Sequence, residues 1–149
     1  MRKYLLLVFF FLSSSWAANL ALDINAGAAL SYKKFKAPAP NFQAHLWYKF
    51  DQMVFLGASS GYKQKDSKSI VPINASLFMR LPIGGQVLPI ATADVGIIFP
   101  PEFQFSWQAS GGLDIKNGDK SSILILIGHQ YYQKMENQLL VRLGLLLEF

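Results

Sequence analysis

The chain has 149 residues, 52% hydrophobic and 14% aromatic, with no cysteine and a formal net charge of +5. That length allows one domain, and the missing cysteines exclude disulfides, thiolate metal sites and the acylated cysteine of a lipoprotein. Beyond the N-terminal leader no stretch approaches the roughly 20 consecutive apolar residues of a membrane-spanning helix.

The leader comes first. Arg2 and Lys3 precede an apolar run, Tyr4 to Leu12, followed by Ser13-Ser14-Ser15-Trp16-Ala17-Ala18. A charged start, a short greasy core and small residues at the cut describe a secretory signal peptide over residues 1–17, cleaved after Ala17, with Ala18 as the neighbouring cut. The domain is then 18–149, with a charge of about +3 once Arg2 and Lys3 are gone. A chain this apolar without spanning helices must pair its backbone in another way, and in lipid a closed barrel is the other structure that does so.

Period-2 alternation, the mark of a strand, recurs along the domain. The first strand, Leu20 to Tyr32, sets Leu20, Leu22, Ile24 and Leu30 against Asp23, Asn25 and Ser31. The second, Asn41 to Phe50, sets Phe42, Ala44, Leu46, Tyr48 and Phe50 against Gln43, His45, Trp47 and Lys49, and Asp51-Gln52 is a tight turn. The third, Met53 to Tyr62, faces Val54, Leu56, Ala58 and Tyr62 outward over small Gly57, Ser59 and Gly61. In the fourth, Ile70 to Leu81, Val71, Ile73, Ala75, Leu77, Met79 and Leu81 face out, with Asn74, Ser76 and Arg80 inward.

Pro82-Ile83-Gly84-Gly85 makes the next turn. The fifth strand, Leu88 to Phe99, buries Thr92, Asp94 and Gly96, and the sixth, Phe103 to Leu113, sets Phe103, Phe105, Trp107 and Ala109 against Gln104, Ser106, Gln108 and Ser110. Asn117-Gly118 is a hairpin signal. The seventh, Ser121 to Tyr132, is apolar on both faces from Ile123 to Ile127, so its facing stays open. The eighth is the C-terminal run, with Val141, Leu143, Leu145, Leu147 and Phe149 on one face and Arg142, Gly144, Leu146 and Glu148 on the other.

Alternating lipid-facing and lumen-facing residues, an even strand count and both termini on one side are the requirements of a bacterial single-chain barrel. With the N-terminus periplasmic, Tyr32, Phe42, Tyr62, Phe99, Phe103 and Tyr131 fall near the outer rim and Tyr48, Phe50 and Phe149 near the inner one. Two such aromatic bands are the expected membrane girdles. The pattern covers the whole domain and resembles the small eight-stranded outer-membrane class typified by the OmpA transmembrane domain and OmpX. The terminal Phe149 behind Val141, Leu143, Leu145 and Leu147 is similar to the C-terminal signal that barrel-assembly machinery reads. The resemblance implies an all-β, eight-stranded, antiparallel, up-and-down transmembrane barrel in the bacterial outer membrane.

A barrel of this size has its interior filled by side chains. Charges there must be paired. By height, the expectation is an Asp94–Arg142 pair at mid-level and a basal network of Lys49 and Arg80 with Asp23 and Glu148. Four short connections are expected at the outer rim, at Lys33–Pro40, Lys63–Ser69, Pro100–Glu102 and Gln133–Asn137. Lys33, Lys34, Lys36, Lys63, Lys65 and Lys68 there suit lipopolysaccharide phosphates, and equally an ordinary solvated loop. Other outer-membrane proteins are the remaining partners, and no nucleic-acid motif accompanies the lysines.

The residues do not favour catalysis. Lipid A deacylases of barrel form carry a His-x-Ser signature, and here His45-Leu46-Trp47 and His129-Gln130-Tyr131 lack the serine. No cofactor is expected, and two isolated histidines make no metal site. The expected role is a non-enzymatic envelope barrel, structural or accessory to a larger assembly. The alternatives are a lipid A acyl hydrolase or transferase, and a soluble periplasmic carrier of lipocalin type, which would need an apolar lumen and a polar exterior.

Overall fold

The computed structural model describes residues 19–32, 38–65, 68–99, 103–133 and 137–149. The leader, Lys33, Lys34 and Lys36 lie outside the described residues. Eight strands run in chain order: β1 Leu20–Ser31, β2 Ala39–Lys49, β3 Val54–Lys65, β4 Lys68–Arg80, β5 Val87–Phe99, β6 Gln104–Lys116, β7 Ser121–Tyr132 and β8 Gln138–Glu148. Each pairs antiparallel with its neighbour, and β1 pairs with β8 (Ala21 opposite Glu148, Ser31 opposite Gln138), so the sheet closes on itself. Closure removes both sheet edges, and with them every unpaired row of backbone donors and acceptors.

The turns at the end that carries the termini follow the sequence signals. Asp51 Oδ1 accepts bonds from the Met53 and Val54 amides at 2.6 and 2.7 Å, folding the β2–β3 turn on a side chain. Gly118 takes a φ of 104° after Asn117, whose amide donates to Ser121 O at 2.8 Å. Gly84 and Gly85, also at positive φ, turn β4 into β5.

The alternation sorts the side chains cleanly. The large exposed apolar groups, among them Ile24, Leu46, Ile73, Val95, Ile127 and Leu143, point outward from the strands and form a belt around the barrel. On β7 Leu124 and Leu126 point in, and Ile123, Ile125 and Ile127 point out. The open question of its facing is thereby settled, and the lumen on that side is itself apolar. No described helix is long and apolar enough to cross a membrane, but strands carrying such a belt have the pattern of a transmembrane barrel.

Inward glycines let the strands close tightly. A Cβ on Gly112 would fall within the van der Waals envelope of the Ile125 carbonyl oxygen on β7, so the neighbouring backbone occupies the space. Gly112→Val is expected to abolish the heat-modifiable, folded species on unboiled gels after refolding into detergent. A variant that refolds in wild-type yield would refute that tight approach.

Candidate functional site

The lumen is built in layers that can be read by twos along the strands. From the terminal end upward, β2 supplies Lys49, Trp47, His45 and Gln43 to the interior, β4 supplies Arg80, Phe78, Ser76 and Asn74, and β8 supplies Glu148, Leu146, Gly144 and Arg142. The sequence is charge, then apolar, then polar. Each strand contributes one residue per level because alternate side chains share a face.

The basal layer is an ion-pair group. Arg80 Nη2 donates to Glu148 Oε1 at 2.7 Å and its Nε donates to Asp114 Oδ2, while Lys49 Nζ donates to Glu148 Oε2 at 3.1 Å. The guanidinium also lies 4.9 Å from the Phe55 ring centroid and 5.5 Å from that of Phe78, with the two rings stacked on each other. Cation–π attraction and charge-assisted bonds to two separate carboxylates hold one planar cation from several sides. Above it lies an apolar layer of Ala21, Trp47, Phe55, Phe78, Ile90, Leu124, Leu126 and Leu146.

The middle layer is a continuous polar network. Asp23 accepts from Trp47 Nε1 at 2.6 Å, from His45 Nδ1 at 2.7 Å, and from Asn25 Nδ2. The other ring nitrogen, His45 Nε2, lies 3.3 Å from Asp94 Oδ1, within ion-pair distance but not aligned as a hydrogen bond. Asp94 in turn accepts from Ser76 and from Gln108 Nε2. Gln108 Nε2 also reaches Gln43 Oε1 at 2.9 Å, and Arg142 donates to that same oxygen at 2.6 Å and to Ser110 at 2.8 Å. Lys63 Nζ closes the top, bonded to Gln130 Oε1 at 2.6 Å and Gln108 Oε1 at 3.2 Å. The network draws on all eight strands, and a smaller apolar cluster of Ile70, Ile98 and Tyr132 caps it.

Several expectations need correction. Asp94 and Arg142 form no direct ion pair; Gln43 and Gln108 stand between them and relay the contact. Asp23 belongs to the middle network with His45 and Trp47, and Asp114 takes its expected place at the base beside Arg80. Lys63 is no loop residue: β3 runs on to Lys65, so the alternation through Ser59 and Gly61 carries Lys63 into the lumen, 2% exposed. β3 ends at Lys65 and β4 begins at Lys68, so these two lysines are paired strand residues. Lys49 and Arg80 both pair with Glu148 in the basal layer. Val141, Leu143 and Leu145 lie on the outward face of β8, and the Phe149 amide donates to Leu20 O at 2.9 Å across the closing seam.

No protein-family model matches the chain, and no curated protein sequence does. Solved structures do. Neisserial surface protein A aligns with a TM-score of 0.63 at 11% identity, covering 87% of this chain and 96% of its own. The N-terminal β-barrel domain of Pseudomonas aeruginosa OprF aligns with a TM-score of 0.63 at 13% identity, over 87% and 97% of the two chains. The outer membrane enzyme PagL gives 0.56 at 12% identity, over 87% and 99%. At such identities the likeness is one of fold: the chain has the eight-stranded architecture of the small outer-membrane barrels.

Proposed function

We propose that the protein is an integral outer-membrane barrel, exported by its cleaved leader, that serves the envelope without catalysing a reaction. It acts alone or as an accessory subunit of a larger outer-membrane assembly, with the loop lysines Lys33, Lys34 and Lys36, and Lys65 and Lys68 at the strand ends, meeting lipopolysaccharide phosphates. The observation that carries this reading is the combination of an apolar outer belt with a lumen closed by the Trp47–Phe55–Phe78 layer. A soluble carrier would need a polar exterior and an open apolar lumen. The fold shared with the outer membrane enzyme PagL supports an enzyme as second reading, for which lipid A is the substrate the sequence reading names. Against it, His45 is enclosed by Asp23 and Asp94, and the side-chain hydrogen-bond partner of His129 is Tyr32. Neither histidine bonds a serine hydroxyl among the described residues, and such an alignment is what activates a nucleophile.

The test combines cell fractionation, native mass after gentle detergent extraction, and mass spectrometry of lipid A with and without the protein. The expected result is recovery with the outer membrane and an unchanged lipid A spectrum. A lipid A mass shifted by one acyl chain would replace this reading with the enzyme, and recovery in the osmotic-shock fluid would sink the membrane assignment. A monomer mass assigns the role to the barrel itself; a larger stable complex assigns it to the assembly.

A further inference from the structure

Among the described strand residues, the outward positions carry apolar, aromatic, small or hydroxyl side chains, with Gln64 at the end of β3 and His129 on β7 as the exceptions. Among the described strand residues, His129 is therefore the one ionisable group, tyrosines aside, on the outward face. It stands between Ala109 on β6 and Leu139 on β8, both apolar. A polar ring at such a position is costly, and where one is retained it marks a functional contact.

Its surroundings form a built site. The Tyr32 hydroxyl lies 3.0 Å from Nδ1, reaching across from the end of β1. The Trp107 and Tyr32 rings flank the imidazole at centroid distances of 5.4 and 5.5 Å, and Tyr131 stacks on Trp107. Nε2 has no protein partner among the described residues. In the tautomer whose Nδ1 accepts from the Tyr32 hydroxyl, Nε2 carries the ring proton and offers one N–H donor at the level of the aromatic band opposite the termini. The acceptors at that depth of a bilayer are headgroup oxygens. An anionic phosphate gives the stronger, charge-assisted bond.

We propose that His129, Tyr32 and Trp107 form a binding site on the outer wall of the barrel for the phosphate of a membrane lipid headgroup. The inference rests on the membrane-spanning reading above, but it is independent of the loop lysines. The site is lateral: the lipid lies alongside the barrel and the lumen takes no part.

The test uses the refolded protein, wild type, His129→Leu and Tyr32→Phe, in vesicles of phosphatidylcholine with and without phosphatidic acid. Retained phosphatidic acid is titrated by native mass spectrometry. Wild type should hold one phosphatidic acid in preference to phosphatidylcholine, and His129→Leu should bind it about tenfold more weakly. Tyr32→Phe should fall between them. Because leucine suits the lipid face, His129→Leu should withstand at least as much urea as wild type. Equal affinity in wild type and His129→Leu would overturn the site, as would a destabilised His129→Leu, which would make the ring a packing residue. Release of the lipid by inorganic phosphate alone would overturn the lipid as ligand. A wild-type protein that fails to float with either vesicle would instead refute the membrane reading on which the site depends.

Discussion

An Arg80→Met barrel is expected to lose about 3–5 kcal/mol of stability, the cost of leaving a buried charge without its partner. Asp114 is fully buried and its ion partner is Arg80 Nε, whereas Glu148 keeps Lys49. The methionine refills the space beside the Phe55 and Phe78 rings with apolar atoms, so the loss reports the stranded carboxylate rather than a cavity. Asp114→Asn in the same chain should therefore recover most of it, since the double variant has neither charge. Urea unfolding followed by the fluorescence of Trp47, which packs against Phe78, reads both quantities. If the double variant is no more stable than Arg80→Met, the cation is holding the aromatic layer and the ion pair is secondary.

Leu143→Arg should be as damaging for a different reason. Leu143 stands midway along β8, outward and 61% exposed. On a protein in water such a change is worth within about 0.5 kcal/mol. At the mid-plane of a bilayer, an arginine on the lipid face costs about 2–4 kcal/mol. Unfolding from phosphatidylcholine vesicles measures it, and a wild-type midpoint would mean that this face does not meet hydrocarbon. The same arginine placed at Phe149, near the rim, should cost much less, because the penalty falls with depth toward the interface.

The strand count and facing were legible because lipid outside and polar groups inside impose opposite polarities on alternate residues. Where both sides are apolar that contrast vanishes: on β7 the inward Leu124 and Leu126 are indistinguishable in sequence from the outward Ile123 and Ile125. Strand ends were harder. Ending β3 at the girdle residue Tyr62 turned Lys63 into a loop residue, and ending β6 at Leu113 left out Asp114, although both continue the inward alternation by one further step. Pairing was least legible. Ranking charges by height alone matched Asp94 to Arg142, but β5 and β8 are separated around the barrel by β6 and β7, and two glutamines fill the gap between them. Which residues share one height depends on the stagger between strands, which one strand's alternation does not encode.

The seam between β1 and β8 has a consequence for how the chain is made. Leu20 and Phe149 are neighbours there, so the first strand to be synthesised waits for the last before its outer row of amides is satisfied. Contacts of such long range form slowly. In the interval every strand edge and the whole greasy belt are open to self-association. A product stalled before residue 138 would therefore present two unmatched edges with nothing left to zip them shut.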